Sequence, residues 1–384
     1  MFPRIHLALD NCFASKRWTE PEEWAQIACD ADIYFIEASA DNECDPLYTP
    51  PDALAAWLDK VQTAVQRTGV KVANLYSGHG TYTTLGLGHP DARVRDHIHH
   101  RWLEPMIRNA AALGAGLGFF CHAFSQATLA QPDRYAQAEA ELIARLAELA
   151  VYAQEHQLAS LSVEQMYSPH QIPWTISGAQ RLMRSVYQRG GAPLYITLDT
   201  GHQTLQRLFL RPSLDQAAAY ASARRAGSAP PDLWLGYIAD ADWLADDQPV
   251  DRLMAQIDNH PQWFAEPQDA DPDSWSRALG CFAPIIHLQQ TDGSTSAHRP
   301  FTEKHNRQGI VTPPRLLLAL YEAYQHADGT PGLPPSCQDI YLTLEIFSGT
   351  AERPQHSLNN IRESAAYWRQ FIPRDGLTLD QLVG

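Results

Sequence analysis

Short apolar runs alternate along the chain with longer stretches whose apolar residues recur every three or four positions. The short runs suit strands and the periodic stretches suit amphipathic helices. The strand candidates are "RIHLALD" (4–10), "IYFIEASA" (33–40), "VKVANLYSG" (70–78), "LGFFCHAF" (117–124), "ASLSVEQM" (159–166), "LYITLDTGH" (194–202), "PIIHLQQTD" (284–292) and "IYLTLEIFSG" (340–349). Helices are predicted over 22–31, 52–68, 94–115, 135–156, 177–189, 313–327 and near 357–371. The acids of "TEPEE" sit near the first helix start, where they suit the helix dipole. Strands that alternate with helices of this length pair in parallel through right-handed crossovers.

Eight such pairs predict an α/β chain folded as a (β/α)8 TIM barrel, one domain over 1–384. A doubly wound open sheet is the alternative, but no GxGxxG follows the first strand. The rhythm breaks over 203–283, where "GSAPPD", "ADADWLADDQP" and "AEPQDADPD" are rich in Asp and Pro. We read this as a long insertion between strands six and seven that carries some helix.

Composition narrows the function classes. The chain has 384 residues and a formal net charge of −15. Such acidity repels phosphate backbones, so nucleic acid is not an expected partner. No apolar run is long enough for a membrane span, and no N-terminal run combines a basic region with an apolar core. The six cysteines (Cys12, Cys29, Cys44, Cys121, Cys281, Cys337) are scattered without a CxxC. They read as reduced thiols with no metal role, so a cytoplasmic location is expected.

The strand ends carry the chemistry. A buried acid is costly unless paired, hydrogen-bonded or bound to a metal. Strand five ends with Glu164, strand six with Asp199 followed by His202, strand seven carries His287 and Asp292, and strand eight ends with Glu345. Barrel enzymes place their sites at this end of the strands. Four acids or imidazoles on adjacent strands repel unless a cation sits between them. Glu164, Asp199, His287 and Glu345 suit one divalent ion, Mn²⁺, Mg²⁺, Co²⁺ or Zn²⁺, with positions left for two substrate oxygens.

With these residues the chain resembles the xylose isomerase-like barrel superfamily, especially its sugar isomerase and 3-epimerase branch. The resemblance covers most of the chain outside 203–283. It implies that strands five to eight supply Glu, Asp, His and Glu to one metal. It also implies that the histidine shortly after the strand-six Asp contacts a substrate oxygen, the place of His202. It further implies that the two glutamates, Glu164 and Glu345, exchange a proton with the two faces of a sugar. The stretch "VEQMYSPHQIPWTI" is also similar to sugar-phosphate isomerase relatives.

The expected activity is a metal-dependent aldose–ketose isomerase or ketose 3-epimerase on a small sugar or sugar phosphate, working through an enediolate. The alternatives on the same site are a lyase or dehydratase and a phosphodiester hydrolase. A homo-oligomer is also possible in this superfamily. Further substrate contacts are expected from Glu37 at the end of strand two, and from His79 and His122 after strands three and four. Extra metal ligands at those two histidines would resemble the DNA-repair branch, which the acidity argues against. Trp174 and Tyr167, on the loop after strand five, offer faces for stacking on a sugar. The stretch 296–309 is the most basic, with Arg299, Lys304, His305 and Arg307 available to a phosphate or carboxylate. Asp10 and Cys12 close strand one and shape the floor.

Overall fold

Eight parallel strands close on themselves in a computed structural model that describes residues 1–39, 43–78, 81–237, 250–326 and 331–384. They are β1 (Arg4–Asp10), β2 (Phe35–Ser39), β3 (Lys71–Ser77), β4 (Gly116–Phe119), β5 (Leu161–Glu164), β6 (Tyr195–Asp199), β7 (Ile285–Leu288) and β8 (Asp339–Leu344). Each pairs with its neighbour in sequence, and β1 pairs with both β8 and β2, which closes the barrel. A short β9 (Leu377–Thr378) runs antiparallel to β1 at its start. The (β/α)8 expectation is therefore met. β5 to β8 end before the apolar runs that announced them, because the last residues of those runs leave the ladder to build the site.

Strand residues alternate between helix-facing and barrel-facing positions. On β5 and β6, Leu161, Val163, Ile196 and Leu198 belong to the apolar cluster, as do Ile286, Leu288, Leu342 and Leu344 of β7 and β8. The intervening residues are polar, and Ser162 and Thr197 bond to each other at 2.8 Å inside the barrel. Two glycines of β4 make room for this interior. A Cβ at Gly116 would lie 2.7 Å from Asn74 Oδ1, and one at Gly118 would lie 3.1 Å from Asn74 Nδ2.

The predicted helix over 94–115 is divided. Residues Ala92–Ile98 and Glu104–Ala112 are α-helical, and His99–Leu103 form a π turn between them. Pro105 explains the division: it has no N–H to give the preceding turn, and its ring crowds that turn. Within 203–283, a 3-10 segment (His202–Phe209) leads to helices Leu214–Arg225 and Val250–Asp258. Helix Pro272–Leu279 then packs against helix Pro313–His326 and leads into β7. No helix among the described residues is long and apolar enough to cross a membrane.

Candidate active site

Strand register brings the acids together. Asp199 lies beside His287 across β6 and β7, and Glu164 beside Thr197 across β5 and β6. Glu345 follows β8 directly, and its N–H bonds to Leu288 O at 3.0 Å. His287 Nδ1 lies 3.2 Å from Glu164 Oε1 and 3.5 Å from Glu345 Oε2. Glu164, Asp199 and His287 each offer a ligand atom within 4.8 Å of the others. All four residues are buried.

Each of these groups is held from behind. Glu37 Oε1 lies 3.1 Å from His287 Nε2, and Asn74 Nδ2 donates to the same oxygen at 3.2 Å. A ring N–H given to Glu37 from Nε2 leaves the Nδ1 lone pair facing Glu164 and Glu345, the arrangement a metal-ligating imidazole needs. Tyr76 donates its hydroxyl to Glu164 Oε2. Asp199 Oδ1 accepts the N–H groups of Gly201 (2.6 Å) and His202 (2.9 Å), and Gln289 Nε2 at 2.8 Å. A Cβ on Gly201 would lie 2.2 Å from the Gln289 side chain, so "DTGH" needs glycine for Gln289 to reach the acid.

The electrostatics follow from this crowding. Burial pushes the Glu345 carboxyl well above the usual range, and Asp199 and Glu164 add to it against the opposing pull of His287. Burial, with Glu37 and Glu345, does the same to Asp10. For His287, burial acts to lower the pKa, but Glu345, Glu37 and Glu164 overcome it and raise it well above normal. Burial likewise opposes the charge on Asp199, yet His202, His298 and His287 hold it below the ordinary carboxylate range.

The residues fit a divalent cation. Glu345 Oε2 is a buried oxygen that receives no hydrogen bond among the described residues. The donor set is carboxylate and imidazole, as hard and borderline divalent ions prefer.

A cavity of about 600 Å³ opens over this cluster, and Asp10, Tyr76, Glu164, His202 and Glu345 line it. A larger hollow of about 750 Å³ lies at the other end of the strands, beside Lys71 and Asp339. Barrel chemistry belongs to the C-terminal end, where the acids converge.

His202 lies in the cavity wall. Its Nδ1 is 3.1 Å from Gln165 O, and its ring meets Tyr167 edge-on at 4.9 Å. Tyr167 also lines the cavity. Four other expected contacts sit elsewhere. Glu37 stands behind His287 and does not line the cavity, because a fully buried carboxylate this deep is taken up by imidazole and amide. His122 is fully buried against Ile172 O, and burial lowers its pKa to about 4, so it is a neutral wall residue. Trp174 packs edge-on against Phe209 at 5.8 Å, inside the apolar cluster. Arg299 turns to Asp292 at 2.9 Å. His79 lies outside the described residues.

The residue before Arg299 reaches the site instead. His298 has a left-handed φ of 44°, and its ring stacks on Phe347 at 3.9 Å. Its Nδ1 is 3.2 Å from Glu345 Oε2, and it forms a second group of possible ligands with Asp199 and His202. Gln289 Oε1 accepts the His298 N–H at 2.7 Å, so one amide positions both Asp199 and His298. Nothing periodic marks His298, Tyr76 or Gln289. Only the adjacent glutamines after "IIHL" hinted at a polar strand end.

An eight-stranded parallel barrel whose C-terminal rim gathers three carboxylates and an imidazole is a TIM barrel built around one polar site. The chain belongs to the xylose isomerase-like TIM barrel family, whose model matches residues 25–243. The D-erythrulose 1-phosphate 3-epimerase of Brucella abortus (strain 2308) is 31% identical over 121 residues, 31% of this chain. That match spans about a third (35%) of the curated relative's length. Among solved structures, a Rhodospirillum rubrum ATCC 11170 protein named after xylose isomerase aligns with a TM-score of 0.69 and 21% identity, over 95% of this chain and 99% of that one. The D-psicose 3-epimerase of Clostridium cellulolyticum H10 aligns at 0.53 and 10% identity, over 98% and 95%. An L-ribulose 3-epimerase aligns at 0.54 and 14%, over 98% and 95%. At these identities the structural likeness speaks for the fold.

Proposed function

We propose that the protein is a divalent-metal-dependent sugar isomerase of the ketose 3-epimerase or aldose–ketose isomerase type. The observation that carries this reading is the pair of carboxylates, Glu164 and Glu345, that reach His287 Nδ1 from β5 and from the end of β8 and both line one cavity. The match to a sugar-phosphate 3-epimerase over 121 residues supports the same reaction class. Glu164, Asp199, His287 and Glu345 are the residues that would hold the ion. When bound, the ion would polarise the substrate carbonyl and stabilise the negative charge that develops beside it.

The chain's own groups do the rest. One glutamate takes the proton from the carbon beside the carbonyl, and the other delivers one. Delivery to the opposite face of the same carbon inverts it; delivery to the neighbouring carbon moves the carbonyl. Tyr76 holds Oε2 of Glu164, and Oε1 faces His287 Nδ1 at 3.2 Å, so the carboxylate would keep one orientation beside the ion. His202 and His298 line the same cavity and would hold substrate hydroxyls. Gln289 keeps Asp199 and His298 in register.

The test is proton exchange. With Mn²⁺ supplied and D-erythrulose 1-phosphate, D-ribulose and D-fructose as probes in D2O, the wild type should place deuterium on the carbon beside the carbonyl. Glu164→Gln and Glu345→Gln should each lose at least about a hundredfold in that rate. Full exchange in both variants would refute the assignment.

A further inference from the structure

The cavity changes character between its floor and its mouth. Asp10, Glu164 and Glu345 are buried on the floor, whereas Lys16, Gly349 and Thr350 are exposed and line the same cavity. The mouth therefore joins the segment after β1 to the segment after β8. Lys16 sits at φ 63°, a left-handed conformation that a residue with a Cβ disfavours. Among the described residues its ammonium has no hydrogen bond or ion pair, and the hydroxyls of Ser15 and Thr350 have no partner either.

Arg17 has a different task. Its guanidinium donates to Gly349 O at 2.6 Å and Glu352 O at 3.0 Å, which pins the segment after β8 to the segment after β1. The two arginines of the basic stretch 296–309 are engaged away from the cavity: Arg299 holds Asp292 and Arg307 holds Glu303. In a chain of net charge −15, an anionic substrate is repelled by the general field. Lys16, exposed at the cavity mouth, would offset that repulsion locally. A sugar whose carbonyl end lies among the floor carboxylates would extend its other end toward this cation.

We propose that the mouth is an anion subsite, in which Lys16 with the hydroxyls of Ser15 and Thr350 takes a terminal phosphate or carboxylate of the sugar. The proposal rests on the sugar-isomerase reading of the floor and names the substrate class: an acidic sugar. Lys16 is a point charge that suits either anion, and the experiment separates them.

The probes are D-fructose, D-fructose 6-phosphate and D-fructuronate, which share a chain and differ at its end. Binding to the Mn²⁺-supplied protein is measured by calorimetry, and deuterium uptake is followed in the same samples. The wild type should bind at least one of the two anions roughly ten- to hundredfold more tightly than D-fructose. Lys16→Gly suits the left-handed backbone, so the turn is kept. It should remove most of that preference, and Lys16→Arg should restore part of it. Tighter binding of the phosphate identifies a sugar phosphate, and tighter binding of D-fructuronate identifies a sugar acid. Equal affinity for all three probes, or a preference that survives Lys16→Gly, overturns the subsite. Anion-selective binding through Lys16 without deuterium uptake would instead count against the isomerase reading and leave the subsite standing.

Discussion

At the scale of single residues, the site is a set of costly groups each held by a specific partner. His287 is the clearest case, because Glu37 lies 3.1 Å from one ring nitrogen while the other faces Glu164 and Glu345. Glu37→Gln should weaken divalent-ion affinity about ten- to a hundredfold while leaving all four ligands in place. A metal titration of the variant beside wild type reads this directly. Gly201→Ala should push Gln289 off Asp199, since the new Cβ would fall 2.2 Å from that side chain. Loss of most metal binding with little change in unfolding temperature is the expected result. Much of this was legible from residue type: Glu164, Asp199, His202, His287 and Glu345 each close or follow an apolar run. His298 was not, because its position depends on a left-handed backbone and a reach from Gln289 over nine residues. Arg299 drew attention by charge, which says nothing of direction.

At the scale of elements, helices and strand ends are joined by buried polar contacts. Glu43, after β2, accepts Trp24 Nε1 (2.7 Å), Trp57 Nε1 (2.9 Å) and Asn11 Nδ2 (2.8 Å), so it links two helices to the end of β1. Burial still outweighs those bonds and raises its pKa from 4.5 to about 7. The folded state thus binds its proton more tightly than the unfolded chain does. The stability from that proton is fully present below about pH 4.5 and is lost as pH rises through about 7, a change of about 3 kcal/mol. Denaturant melts of wild type and Glu43→Gln across pH 4.5–8 should show this loss only in the wild type. Period and length located the helices well, but the π turn at His99–Leu103 depends on how Pro105 is accommodated, and hydrophobic period does not encode that.

At the scale of the whole molecule, barrel closure puts residues far apart in sequence around one cavity. Alternating strands and helices were enough to read the barrel, since parallel pairing with right-handed crossovers leaves few other topologies. The cavity's mouth was not readable, because it depends on which loop cations find partners after folding. Burial raises the pKa of Glu345, and the surrounding carboxylates outweigh burial to raise that of His287, so protons compete with an ion for both groups. Ion uptake should therefore release protons, and affinity should rise with pH, since low pH favours the protonated, empty site. Calorimetry in buffers of different ionisation enthalpy would count those protons.

The claim on which the rest depends is that Glu164, Asp199, His287 and Glu345 hold one divalent ion. Elemental analysis of purified wild type beside Asp199→Ala, both after incubation with Mn²⁺ and desalting, tests it most directly. One tightly held ion per chain is expected in the wild type, and its loss in the variant. No retained ion in the wild type, or equal retention in both proteins, would contradict it.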